Sequence, residues 1–273
     1  MPRDFIKMHG LGNDFVIIDG RADGFLPDTT FCLRVADRHR GIGYDQLIIL
    51  APPQDPTADL YMHMYNADGS IAGACGNATR CVARLLFKEN GRATGVIQTI
   101  AGLLKVWQEA EDLIAVDFGP PRLLPREIPL ADDVDTLNVP MAGHDVPPAC
   151  CVSMGNPHAV FFVPDVLAVP LATIGPKLEH HPLFPERCNI EFAQVLGSQT
   201  IRMRVWERGT GITEACGSGA CATLVAAARR GLTERKAEVR LDGGSLTIEW
   251  READGHVILL GPTALSFQGT LFL

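Results

Sequence analysis

The chain of 273 residues has no apolar run near the roughly 18 residues that a membrane-spanning helix needs, so no such segment is expected. Its N-terminus, Met1-Pro2-Arg3-Asp4-Phe5, carries an acid early and has no apolar core, unlike a secretory signal; the expected compartment is the cytoplasm. Basic residues are in deficit, 24 Lys and Arg against 32 Asp and Glu, for a formal charge of −8. With no basic stripe and no interleaved aromatics, neither nucleic acid nor an anionic membrane surface is expected as a partner. Cys-x-x-Cys is absent and no His stands at zinc-finger spacing, which argues against a structural zinc site, and no other metal set is found. Walker and Rossmann glycine motifs are missing from any strand–helix setting. The lysines (Lys7, Lys88, Lys105, Lys177, Lys236) have no context that would hold pyridoxal phosphate. No cofactor is expected.

What the chain does have is eight cysteines. A chain of this length can bury a core without disulfides, and in the cytoplasm its thiols would stay reduced. The ordinary role of such a cysteine is that of a small buried apolar side chain. That reading serves for Cys32, Cys81, Cys150, Cys151 and Cys221; Cys188 lies in a loop and its thiol has no evident role.

Cys75 and Cys216 differ because the chain repeats itself around them. Tyr65-Asn66-Ala67-Asp68-Gly69-Ser70-Ile71-Ala72-Gly73-Ala74-Cys75-Gly76-Asn77 matches Trp206-Glu207-Arg208-Gly209-Thr210-Gly211-Ile212-Thr213-Glu214-Ala215-Cys216-Gly217-Ser218. Each cysteine follows a polar residue, Asn66 or Glu207, by the same step, and each preceding loop holds two glycines. A helical pattern follows each one, Gly76 to Glu89 with a stop at Asn90-Gly91, and Gly217 to Arg230 with a stop at Gly231. Upstream, Gly12-Asn13 and Gly155-Asn156 both mark turns beside apolar strands. Downstream, strand patterns begin at Gly102 and Gly244. The simplest architecture is α+β, two pseudo-symmetric domains, with a boundary near Phe118-Gly119-Pro120-Pro121-Arg122. The halves are 1–118, carrying Cys75, and 119–263, carrying Cys216.

A cysteine at a helix start has chemical consequences. Free N–H groups and the positive dipole end bind anions and lower a thiol's pKa, so part of each thiol is expected as thiolate near neutral pH. Gly76 and Gly217 leave the amides open to close approach. Two such sites facing one another across a cleft would hold a single carboxylate, with a sulfur on each side of its α-carbon. One thiolate removes the α-proton and the opposite thiol delivers another, which inverts the centre without a cofactor. The amide donors stabilise the developing enediolate.

The chain is identified as a member of the diaminopimelate epimerase family. The resemblance runs through Lys7-Met8-His9-Gly10-Leu11-Gly12-Asn13-Asp14-Phe15, Gly41-Ile42-Gly43-Tyr44-Asp45-Gln46, Tyr65-Asn66-Ala67-Asp68-Gly69-Ser70, Ala74-Cys75-Gly76-Asn77, Gly155-Asn156-Pro157-His158, Arg187-Cys188-Asn189-Ile190-Glu191-Phe192, Trp206-Glu207-Arg208-Gly209 and Ala215-Cys216-Gly217-Ser218-Gly219. Tyr44 departs from the small residue usual in its loop. The resemblance implies that each domain is a mixed or antiparallel sheet wrapped around a central helix. The active site lies in the cleft between the domains, and the last strand (264–273) returns to the first domain. It implies interconversion of LL- and meso-2,6-diaminopimelate in the lysine and peptidoglycan precursor pathway. Cys75 and Cys216 would exchange protons, while His158 and Glu207 contact the reacting ammonium and tune the thiols. Gly76, Asn77, Gly217 and Ser218 would hold the reacting carboxylate. Asn13, Gln46, Asn66, Asn156, Asn189 and Arg208 would line the cleft, with Arg208 as the planar partner of the distal carboxylate. The partner is then a small amino-acid substrate; a homodimer is left open.

Plainer readings exist for single residues. Asn13 and Asn156 suit turns, His158 a surface loop, Glu207 and Arg208 an exposed strand pair. The nearest competing function is a proline or hydroxyproline racemase of the same fold, whose substrates lack the distal head that so many amides and Arg208 suggest. A phenazine-type isomerase would not need the cysteine pair. A cysteine hydrolase, or a binding protein for amino acids, leaves the second thiol unexplained.

Overall fold

Local turn chemistry sets the first hairpin. In the computed structural model Leu11 and Gly12 take φ of 55° and 88°, the left-handed pair that a two-residue type I′ turn requires, and join β1 (Arg3–Gly10) to β2 (Asn13–Asp19) with Gly10 opposite Asn13. The structure describes residues 2–73 and 75–272. Met1, Leu273 and Ala74, the alanine of the first Ala-Cys-Gly, lie outside the described residues. The chain divides into two compact units, Met1–Val116 with Gly261–Leu273, and Asp117–Leu260.

In the first unit β3 (Gln46–Ala51) lies parallel to β2, and β4 (Leu60–Asn66) returns antiparallel to it. β5 (Thr94–Thr99), β6 (Gly102–Ala110) and β7 (Leu113–Asp117) extend the sheet beyond β4, and the final strand (Ala264–Leu271) runs antiparallel along β1. A short helix, α1 (Thr29–Ala36), starts where Asp28 accepts the Phe31 N–H at 2.7 Å. The central helix α2 (Gly76–Asn90) packs on β1, β2, β5 and β6 and stops at Gly91, whose φ of 69° lets its N–H return to the Phe87 carbonyl. Tyr44 is buried among Phe5, Val16, Leu47 and Ile49, and its hydroxyl donates to the Cys32 carbonyl at 2.7 Å; it fills core space rather than disturbing the loop.

The second unit repeats the plan. β8 (Cys150–Ser153) and β9 (Pro157–Phe162) form a hairpin around Met154-Gly155-Asn156. α3 (Leu171–Glu179) precedes β10 (Asn189–Gly197), which lies parallel to β9 and antiparallel to β11 (Thr200–Glu207). The short β12 (Gly211–Thr213) folds back on β11. Beyond the central helix α4 (Gly217–Arg229), β13 (Lys236–Leu241), β14 (Gly244–Trp250) and β15 (Val257–Pro262) complete the sheet, in the order β15-β14-β13-β11-β10-β9-β8. From Ala220 to Ala227 every residue of α4 is buried. A helix apolar on all sides must be enclosed, and its Ala, Gly and Cys side chains let strands approach closely. Each unit is thus a mixed sheet around one helix, as expected. Among the described residues no helix is long and apolar enough to cross a membrane.

Candidate active site

Both repeat cysteines are N-caps with extended backbone, Cys75 (φ −148°, ψ 107°) for α2 and Cys216 (φ −123°, ψ 109°) for α4. Cys81 and Cys221 lie fully buried inside these helices. Burial pushes the Cys81 thiol up to about 12, the expected state of a packing cysteine.

In the first unit the strand register gathers the expected residues at one sheet end. Gln46 pairs with Asn66 across β3 and β4 and with Phe15 across β2. Cys75 Sγ accepts the Ala78 N–H at 3.5 Å, and its thiol donates to Asn13 Oδ1 at 3.6 Å. Asn77 Nδ2 donates to the same oxygen at 3.2 Å. Gln46 Nε2 reaches Asn66 Oδ1 at 3.5 Å, and its buried Oε1 has no partner among the described residues, an acceptor open to a ligand donor. Asn66 Nδ2 donates to Ser70 Oγ at 3.0 Å.

Asn13 is held in turn by charges that sequence reading did not single out. Its Nδ2 donates to Asp45 Oδ2 at 2.9 Å, and Arg38 bridges Asp45 to Asp14 with contacts of 2.8–2.9 Å. The buried Lys7 Nζ sits 2.6 Å from Asp14 Oδ2 and also donates to the Gly43 carbonyl. Burial alone would push Asp14 up; hydrogen bonds and charges from Arg38 and Lys7 overcome it and hold the carboxyl at about 2.

In the second unit β9–β10 pairing sets Asn189 beside His158, and β10–β11 pairing brings Glu207 and Arg208 to the same end. Ser218 Oγ lies 3.6 Å from Cys216 Sγ and accepts from Asn156 Nδ2 at 3.3 Å. His158 is no surface residue. It is fully buried, with Nδ1 2.7 Å from Glu191 Oε1 and Nε2 3.0 Å from Asn156 Oδ1. Glu207 takes a hydrogen bond from Thr213, and its charge bears on the Cys216 thiol. Asn189 has both ends of its amide engaged by backbone: Oδ1 accepts the Arg208 N–H at 3.0 Å and Nδ2 donates to the Pro157 carbonyl at 2.9 Å. The exposed Arg208 guanidinium donates to the Glu186 carbonyl at 3.2 Å.

The expected lowering of the thiol pKa does not hold for Cys216. Burial, then the charges of Glu207 and Glu191, push this thiol well above its ordinary value; the Gly219 amide and Ser218 hydroxyl work the other way and are outweighed. Burial likewise raises the Glu207 carboxyl. Cys216 therefore rests as a thiol, poised to give a proton rather than take one.

Glu191 was not assigned a role from sequence, although a lone acid inside the apolar run Ile190-Glu191-Phe192 is a visible signal. It is fully buried; one oxygen holds His158, and Oε2 has no partner among the described residues. Gly219 makes room for it. A β-carbon there would lie 2.7 Å from Glu191 Oε1 and 3.3 Å from Cys216 Sγ.

A sequence model of the family described as diaminopimelate epimerase matches residues 5–124 and 150–265. A diaminopimelate epimerase of Rhodospirillum centenum is 60% identical over 99% of this chain and 93% of the relative. One from Acidiphilium cryptum is 54% identical over 98% and 96%. Among solved structures, a phenazine biosynthesis protein of the PhzF family from Bacillus anthracis superposes with a TM-score of 0.72, covering both chains fully at 16% identity. A probable proline racemase from Agrobacterium radiobacter gives 0.71 at 14% identity, covering 99% of this chain and 93% of the other. At such identities the likeness is one of fold.

Proposed function

The chain belongs to the diaminopimelate epimerase family, and from that premise we propose that it interconverts LL- and meso-2,6-diaminopimelate by two-base proton transfer between Cys75 and Cys216. The observation that carries this reading is the duplicated device: in each unit a cysteine caps a central helix, with Gly76 or Gly217 next to it. One substrate carboxylate shared by both helix starts would draw on the amides of Gly76, Asn77, Gly217 and Ser218. Its α-carbon would then lie between the sulfurs. As the thiolate of one removes the α-proton, the carboxylate becomes an enediolate stabilised by these amides. The thiol of the other adds a proton to the opposite face. For each turnover one sulfur gains a proton and the other loses one, so the next turnover of the same direction needs the pair reset.

The raised pKa of Cys216 makes it the resting acid, and Glu207, the carboxyl whose charge weighs most on it, is the group to receive that proton when the reverse direction needs a thiolate. His158, anchored by Glu191, fixes Asn156 and through it Ser218. Asn13, Gln46, Asn66, Asn156 and Arg208 would read the distal amino-acid head. A racemase of proline-like substrates has no use for these groups. A homodimer, read by sedimentation, and a cytoplasmic location, read by fractionation, go with this proposal.

The test is the pattern over two variants and two stereoisomers. In Cys75→Ser and in Cys216→Ser, epimerisation should fall by several orders of magnitude, because serine is a far poorer acid. Each variant keeps partial reactions that need one face, such as halide elimination from a β-halogenated substrate, with opposite stereoisomer preferences. Near wild-type epimerisation by Cys216→Ser would refute the mechanism.

A further inference from the structure

The two residues assigned to the reacting ammonium and the distal carboxylate, Glu207 and Arg208, sit on a turn held by one buried side chain outside the assigned set. Glu179 ends α3 and is 2% exposed. Its Oε2 accepts the Trp206 indole N–H at 2.7 Å and its Oε1 accepts the Gly209 backbone N–H at 2.9 Å. The two donors flank Glu207-Arg208 in the chain, so a single carboxylate spans the pair from behind.

The surroundings leave that turn little freedom. A β-carbon on Gly175 would lie 2.7 Å from the Trp206 ring, so the backbone of α3 presses directly on the indole. Gly209 aims its amide from a φ of 75°, a conformation glycine adopts without strain. The Arg208 N–H is fixed separately by Asn189. The loop that offers the Glu186 carbonyl to Arg208 holds Arg187 at φ 58°, unusual for a residue with a side chain, and the Arg187 guanidinium reaches Glu179 Oε1 at 3.9 Å. A buried carboxylate is costly to keep where an apolar side chain would fill the same space. It is also the side chain that accepts strongly from two donors arriving from different directions.

We propose that Glu179 is a positioning residue, acting through the Trp206–Gly209 turn to set Glu207 and Arg208 against the substrate. The proposal rests on the reading of Glu207 and Arg208 as substrate contacts. Glu179→Gln keeps the volume but turns one acceptor into a donor facing a donor. Steady-state kinetics on diaminopimelate, with thermal melting in parallel, would compare it with Arg208→Lys and with the double variant. Glu179→Gln is expected to raise KM by about tenfold while the protein stays folded at assay temperature. The KM of the double variant should be no higher than that of Arg208→Lys alone, because the distal contact that sets KM is made by Arg208 in both cases. Trp206→Phe, which deletes only the indole donor, should shift KM in the same direction by less, and it carries the test if Glu179→Gln does not fold. A folded Glu179→Gln or Trp206→Phe with wild-type KM, or rises in KM that add to that of Arg208→Lys, would show a purely structural carboxylate and overturn the proposal. Wild-type KM in Arg208→Lys would instead overturn the reading of the site, and the positioning role with it.

Discussion

Replacing Gly219 with alanine sets two effects of opposite sign against each other. Gly219 lies in the first turn of α4, and glycine to alanine within a helix ordinarily stabilises by about 0.5–1 kcal/mol. Here the new β-carbon would stand 2.7 Å from Glu191 Oε1, where ordinary contact begins at 3.4 Å, so the oxygen must retreat by the difference of 0.7 Å. It has nowhere easy to go. Glu191 is fully buried, and that oxygen is bound at 2.7 Å to His158, which is fully buried with its second ring nitrogen on Asn156. Overpacking of this kind costs about 1–3 kcal/mol, and losing a hydrogen bond to a buried charged group costs a similar amount. The loss therefore exceeds the helix gain, and Gly219→Ala should be destabilised by roughly 1–2 kcal/mol, a fall of several degrees in Tm. Activity should suffer more than stability, because the same β-carbon lies 3.3 Å from Cys216 Sγ. Calorimetry, together with exchange of the substrate α-hydrogen in heavy water, measures both. A rise in Tm with full exchange activity would refute the reasoning.

Two further outcomes are open to measurement. Asp14, held at about 2 against an ordinary 3.8, contributes stability that is present above pH 4 and lost as pH falls through 2, on the order of 1 kcal/mol once solvent screening of this half-buried group is allowed for. Denaturant stability of the wild type should drop across that window and Asp14→Asn should show the smaller drop; parallel curves for the two would refute it. Because burial, Glu207 and Glu191 keep Cys216 protonated, its alkylation in ligand-free protein should stay slow at neutral pH and quicken only in strong base. Glu207→Gln removes one of those charges and should speed alkylation at a given pH; mass spectrometry of the labelled peptide reads both rates, and an unchanged or slower rate would count against the assigned cause.

The features legible in the sequence were those made by neighbours in the chain. The cysteine positions at two helix starts, the stop at Gly91 and the paired strands after Gly102 and Gly244 all follow from turn glycines, capping and apolar spacing within a few residues, as does the first hairpin, although its turn lies at Leu11-Gly12, one residue before the Gly12-Asn13 pair that marks it in the sequence. The internal repeat turned two ordinary-looking cysteines into a pair, and with them the α+β plan of each half. The rest depended on groups far apart in sequence. Glu191 meets His158 across 33 positions, Asp45 holds Asn13 across 32, and Glu179 reaches Trp206 across 27, each contact set by strand register or helix packing rather than by a local pattern. The thiol illustrates the division. A helix start lowers a cysteine pKa, and that much the sequence determined by itself. Only the tertiary structure decided that Cys216 would be buried beside two carboxylates, because desolvation and through-space charge are properties of the folded surroundings and outweigh a helix end.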